Sequence, residues 1–443
     1  MNRRKFLHQG LTAVWALSLN EMLARRPFGS VAGPSPYGEP VVSNDEASGL
    51  PLLKLPPGFR YRTYGLTGDR MSDSVMTPAM HDGMAVIGHY QGNENLVLLV
   101  RNHELYTGSP YADNPQIRYR NDGAGGTTNL VFDLRTGRFV RSWATLSGTA
   151  RNCAGGVTPW GTWLSGEETV IAGHGWMFEV GPDQGNPTPL KPMGCFSHEA
   201  CMVDPATGIV YETEDSGSAG FYKFVPNERG RLAQGGDLYM LRVKDQPAIN
   251  LGAGYRIGTT WDVDWVRIDD PEALSVPPFV QGTRRGGARF RRLEGAWWGS
   301  TSGYFVSTDG GTAAKGQVFE YNPVAETLKL IYEAPNAEDL DHPDNMVVTP
   351  RGGMLLCEAG AADPALTTGE RLVGLTMNGT TFPFAVNNIR LLAPYNAAVP
   401  AGDYRQQEWA GVCYSPDGRW LFANIQTPGI TFAITGPWGN GPL

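Results

Sequence analysis

The sequence predicts an all-β protein. Three observations carry that expectation: abundant turn formers, aromatic residues that favour strands, and a turn-then-strand unit that recurs along the chain. Among 443 residues there are 57 Gly and 33 Pro, with 12 Trp and 17 Tyr. Glycine and proline punctuate elements, whereas Trp and Tyr suit a pleated, half-buried surface. The recurring unit reads DLRTGRFV at 133–140, DPATGIVY at 204–211, NPVAETLKLI at 322–331, TPRGGMLL at 349–356 and SPDGRWLF at 415–422. Each opens on Asp, Asn, Ser or Thr, carries Pro or Gly inside and leads into an apolar strand, which is hairpin chemistry.

In chain order, the start MNRRKFLHQGLTAVWALSL pairs Arg3 and Arg4 with a short apolar stretch from Leu11 to Leu19. This resembles a twin-arginine export signal, expected over residues 1–32. The stretch is far shorter than the roughly 20 residues a spanning helix needs, so no transmembrane anchor is expected. Export by this route carries folded proteins, often so that a metal is loaded first, and implies a periplasmic or extracellular location. A Gly/Pro-rich irregular segment follows at 33–50. From 51 to 443 no linker interrupts the hairpins, which implies one β-propeller domain. The strands GFRYRTYG at 58–65 and TFAITG at 431–436 are placed to share a blade and close the ring. The hairpins are spaced too irregularly for a short-period solenoid. Blades of about 45–70 residues with their loops give six to eight, and six are expected. The competing β-sandwich is disfavoured because hairpins continue to the last residues.

With 44 acidic against 36 basic residues the net charge is −8, and no lysine-rich stripe is present, which excludes a nucleic-acid scaffold role. An acidic protein acting on an anionic phosphate needs metal ions to invert the local field. The five cysteines, Cys153, Cys195, Cys201, Cys357 and Cys413, show no CxxC spacing, so neither a zinc ribbon nor a dense disulfide framework is indicated.

Candidate ligands follow from context. The segment RNCAGGVTPWGTWLSGEE at 151–168 sets Cys153, Glu167 and Glu168 around a Gly/Pro/Trp turn, with Trp160 and Trp163 expected to pack beneath the thiol. Further acids sit in apolar or glycine surroundings: Glu104, Glu199, Glu214, Asp215, Glu294, Asp344, Glu358 and Glu408. In a propeller, strand ends far apart in sequence converge on the central channel, where buried carboxylates stay ionised only with cations. Oxygen donors favour hard cations such as Ca²⁺, and one thiolate among them suggests a second, softer or redox-capable metal such as iron. His103 and His198, each before a glutamate, are either ligands, orienters of ligands or ordinary core histidines. Arg292, two residues before Glu294 and on the same strand face, either binds a phosphate oxygen or pairs with the acids.

The segments RNHE (101–104), NCAGGVTPWGTWLSGEE (152–168), SHEACMVDPATGIVYETED (197–215), RLEG (292–295), GQVFEYNP (316–323), PDNMVVTPRGGMLL (343–356) and EWAGVCYSPDGRWLFANIQTPGITFAITGPW (408–438) resemble the PhoX-type family of secreted alkaline phosphatases. The resemblance covers nearly all of the chain after the leader. It implies a six-bladed β-propeller with a metal cluster in its channel, a monomeric phosphoric monoester hydrolase using Ca²⁺ and Fe³⁺ on small phosphate esters. Carried over by position, Cys153, Glu199 and Glu294 match iron ligands, and Arg292 matches the phosphate-contacting arginine. Arg292, Cys153 and Glu294 are thus the expected catalytic residues. Glu104, Glu168, Glu214, Asp215, Asp344, Glu358 and Glu408 match calcium ligands or their supports, and Glu167 becomes a bystander. Competing functions are a calcium-dependent hydrolase of the lactonase kind, which needs neither thiolate nor arginine, and a non-catalytic binding propeller that keeps calcium only to hold its blades.

Overall fold

Every predicted turn-and-strand unit folds as an antiparallel hairpin. Asp133 pairs with Arg138, Val203 with Val210, Asn322 with Thr327, Val348 with Met354 and Tyr414 with Leu421. The turn chemistry is visible in the first two. Asp133 Oδ1 accepts from the Arg135 amide at 2.8 Å and Asp204 Oδ1 from the Ala206 amide at 2.8 Å. Gly137 (φ 66°) and Gly208 (φ 76°) then take the left-handed backbone that a Cβ disfavours. The computed structural model describes residues 31–183, 185–360 and 369–443, so the twin-arginine stretch lies outside the described residues.

The described residues are mostly strand, with one α-helix, Pro278–Arg284, among them. The arrangement is propeller-like. Four-stranded meanders run in sequence order over 81–149 and, joined into one nine-stranded sheet through Thr260–Arg267, over 198–243 and 293–333. A three-stranded sheet spans 152–180, and a seven-stranded one is built on 343–387. The last sheet contains Trp409–Tyr414, Leu421–Ile425 and Ile430–Thr435, and Arg60–Tyr64 completes it, Thr431 lying opposite Tyr64. A strand near each end of the described residues therefore shares one sheet. The segment expected to be irregular holds a strand: Val41–Ser43 pairs with Leu53–Leu55, two β-branched valines favouring extended backbone.

The innermost strands are His81–His89, Asn152–Val157, His198–Val203, Leu293–Trp298, Pro343–Val348 and Trp409–Tyr414. They touch in that order, and the last returns to the first. Small residues allow that approach. A Cβ on Gly295 would lie 2.5 Å from the Asp344 carbonyl oxygen, and one on Gly83 2.5 Å from Ala154 Cα. Between the sheets the core is aromatic: Phe132 packs on Phe139, Trp420 and Phe422 where the 81–149 meander meets the last sheet. Phe221, Phe305 and Phe319 stack between the two meanders of the nine-stranded sheet.

Candidate metal centre

Most innermost strands carry a ligand-type side chain at the second residue: Asp82, Cys153, Glu199, Glu294 and Asp344. Glu408 comes just before the remaining one. Beside each of these strand starts the pairing register slips, as at His81/Met84, His198/Cys201, Leu293/Ala296, Pro343/Met346 and Ala410/Cys413. The slip opposite Cys153 falls between Ser165 and Glu167. Such bulges bend a strand and re-aim a side chain, which here turns one acid or thiol per strand into the channel.

The result is three linked groups. Asp82, Glu104 and Cys153 bring their ligand atoms within 4.8 Å of one another, as do Cys153, Glu168 and Glu199, and Glu199, Glu294 and Asp344. Cys153 and Glu199 are the shared members. Glu199 is wholly buried, and neither of its carboxylate oxygens has a hydrogen-bond partner. Burial first, then the neighbouring carboxylates, pushes Asp82, Glu199, Glu294 and Glu408 well above the usual carboxylate range. Glu168 rises to about 10 and Asp344 to about 6 for the same leading reason. The Cys153 thiol is likewise pushed up by burial and by Asp82 and Glu199. Without cations these groups can share their space only by keeping protons. The oxygen donors suit hard cations, the single sulfur suits a softer one, and the unpartnered Glu199 oxygens fit ligation.

The supports are specific. Asn102 Nδ2 donates to the carbonyls of Cys153 at 3.1 Å and Ala154 at 2.8 Å, and Trp163 Nε1 donates to Asn102 Oδ1 at 2.9 Å. Trp163 thus supports the Cys153 strand through Asn102 rather than by packing on the thiol, and Trp160 bonds Glu179. Thr213 Oγ1, on the second strand of its sheet, accepts from the Ala200 amide at 2.9 Å and donates to the Glu294 carbonyl at 2.6 Å, linking two inner strands. Gln426 donates to Glu104 Oε2 at 2.7 Å, to Asp82 Oδ2 at 3.1 Å and to Glu408.

Arg292 precedes its strand in left-handed backbone (φ 38°) rather than lying within it as expected, yet its fork reaches the acids. Nε and Nη2 bond Asp215 at 3.0 and 3.1 Å, and Nη2 bonds Glu294 at 2.7 Å. Asp215 therefore orients the arginine. Four of the residues expected as calcium ligands or their supports fall outside the groups: Asp215, Glu408, Glu214 and Glu358, of which the last two are held elsewhere. Glu214 accepts from the Gly220 amide at 2.8 Å and the Tyr222 hydroxyl at 2.7 Å. Glu358 is held by Arg371, at 2.7 Å to Nε and 2.5 Å to Nη2, and by the Asp341 amide at 2.8 Å. Both end the second strand of their sheet, and side chains alternate along extended backbone, so they point away from the side that the next residue faces. Glu167, which also ends its strand, accepts from His174 at 2.6 Å and from the Ala150, Gly175 and Trp176 amides. His103 spends both ring nitrogens on Ala79 and Thr128, and His198 bonds the Gly194 carbonyl at 3.0 Å. Neither histidine enters a group.

Asp82 and Arg151 were not among the expected site residues. The signal for Asp82 is its place in HDGM, which matches NCAG, HEAC and LEGA: a ligand type followed by a small residue at a strand start.

The model of the alkaline phosphatase PhoX family matches residues 36–140 and 124–429 of the chain. Among solved structures, Pseudomonas fluorescens PhoX in complex with vanadate, a transition state analogue, is similar with a TM-score of 0.64 at 16% identity, covering 91% of this chain and 98% of that one. A gluconolactonase from Xanthomonas campestris is similar at a TM-score of 0.42 and 11% identity, over 93% of this chain and 99% of that one. No curated protein matches.

Proposed function

The chain belongs to the PhoX family of alkaline phosphatases and is a phosphatase, and from that premise we propose that it hydrolyses small phosphate monoesters at a mixed calcium–iron centre. The observation that carries the proposal is Glu199, buried with both oxygens unpartnered between two groups of ligand-type side chains. Cys153, Glu199 and Glu294 would hold iron; Glu104, Glu168, Asp344 and Glu408 would hold calcium, with Asp82 added to them. When bound, such ions supply charge that neutralises the phosphate and activates the attacking oxygen.

The chain's own residues do the rest. Arg292, clamped by Asp215, presents a fixed guanidinium to the equatorial oxygens of a phosphoryl group. Gln426 holds Glu104, Asp82 and Glu408 in one arrangement, so their geometry is set before substrate arrives. The register slips and the Asn102–Trp163 support fix Cys153 from behind.

The ring of touching inner strands supports a count of six blades in one domain over 51–443. No helix among the described residues is long and apolar enough to cross a membrane. We read the start of the chain as a twin-arginine leader over 1–32, the mature protein as periplasmic or extracellular, and its state as monomeric. Metal content measured beside turnover of p-nitrophenyl phosphate, before and after chelation, tests the function. Iron and calcium with chelator-sensitive turnover are expected; turnover that survives complete metal removal would contradict it.

A further inference from the structure

The functional reading uses one arginine, but the site holds two in matching positions. Arg151 lies two residues before Cys153, as Arg292 lies two residues before Glu294. Each directly precedes an innermost strand, in left-handed backbone, with φ of 52° and 38°. Each bridges two carboxylates at the groups. Arg151 Nε and Nη2 bond Glu104 Oε1 at 2.9 and 2.7 Å, and Nη2 lies 2.6 Å from Glu168 Oε2. Glu104 belongs to the first linked group and Glu168 to the second, whereas Arg292 holds Glu294 of the third. The two guanidinium groups therefore serve opposite ends of the same chain of ligands.

We propose that Arg151 is a second phosphoryl-contacting residue, closing with Arg292 a two-arginine clamp over the carboxylate groups. The assignment rests on the phosphatase reading above. Arg151 spends only Nε and Nη2 on the acids, and Nη1 makes no hydrogen bond to a described residue. Its side chain is 30% exposed, against 40% for Arg292, so both forks remain open to an incoming anion. The guanidinium also lies 5.1 Å from the centroid of the Tyr106 ring, which backs it on one side and limits its swing. A planar fork fixed on two carboxylates, with an edge left over, suits a phosphate oxygen better than a mobile ammonium does. A purely structural Arg151 would offset the charge of Glu104 and Glu168 but never touch the anion.

Metal-loaded protein distinguishes the two roles, using Arg151→Met, Arg151→Lys and, as reference, Arg292→Met. Metal per chain is measured for each, inorganic phosphate binding by calorimetry, and kcat and KM on p-nitrophenyl phosphate. Losing one charged hydrogen-bond donor weakens anion binding by roughly ten- to a hundredfold. The expected result is that loss in phosphate affinity for Arg151→Met, at wild-type metal content, with part recovered in Arg151→Lys. Phosphate affinity unchanged per metal-loaded chain in Arg151→Met overturns the assignment, whether or not metal content falls. A metal-loaded wild type that neither binds phosphate nor turns over the ester overturns the phosphatase reading and this inference with it.

Discussion

Two sets of buried acids lie within a strand of each other and behave in opposite ways. Asp82, Glu199 and Glu294, second residues of inner strands, each crowd other ligand-type side chains, and Glu199 has no hydrogen-bond partner at all. Glu167, Glu214 and Glu358, last residues of the neighbouring second strands, are buried as deeply but have their oxygens taken by amides, a tyrosine, a histidine or an arginine. Burial alone therefore does not mark a ligand. What separates the sets is clustering: the first set faces other ligand-type side chains, whereas the second is satisfied one by one by the protein.

The comparison breaks most visibly in metal binding. Glu199→Gln should lose metal and bring turnover below about one hundredth of wild type, with Cys153→Ala behaving alike. The metal-free Glu199→Gln protein should be no less stable than metal-free wild type, because an unpartnered buried acid has been removed. Denaturant unfolding of both in chelator checks that; a marked loss of stability would mean Glu199 holds the fold rather than a cation.

The second set should respond in the other currency. Glu358→Ala removes the carboxylate paired with the largely buried Arg371 guanidinium, leaving it only backbone carbonyls, and should cost about 3–5 kcal/mol, while folded protein keeps its metal. Equilibrium unfolding together with metal analysis reads both quantities. Gly295→Ala tests the crowding that lets the inner strands meet: its Cβ would meet the Asp344 carbonyl oxygen at 2.5 Å, so destabilisation of about 1–3 kcal/mol is expected. Unchanged unfolding would mean that the strands have room to spare.

A further effect concerns pH. Glu370, mainly through burial and then Glu358, is raised from 4.5 to about 8. Between those values the folded protein keeps a proton that the unfolded chain has released. Stability present below about pH 4.5 is accordingly lost as pH rises to about 8. Glu370→Gln should flatten that slope in metal-loaded protein, and an unaltered slope from denaturation series would show that Glu370 is not its source.

Much of this was legible beforehand. The hairpins announced themselves because Asp133, Gly137, Asp204 and Gly208 are dictated by local turn geometry, and the pairing of 58–65 with 431–436 followed from strands at both ends. Cys153, Glu199 and Glu294 stood out by residue type and apolar context. Glu214 and Glu358 share that context, and what removes them is register: one residue along a strand reverses the side-chain direction, which no composition records. Arg151 escaped notice because its partners, Glu104 and Glu168, meet it only through the ring of sheets. The N-terminal strand Val41–Ser43 was hidden by the Gly/Pro content around it.

Acids clustered at the inner-strand starts hold the metals, and acids satisfied singly by the protein hold the fold. Metal per chain by mass spectrometry, for wild type, Glu199→Gln and Glu358→Gln purified alike, tests this most directly. The account predicts iron and calcium in wild type, their loss in Glu199→Gln and their retention in folded Glu358→Gln. Full metal in Glu199→Gln, or equal loss in both variants, would contradict it.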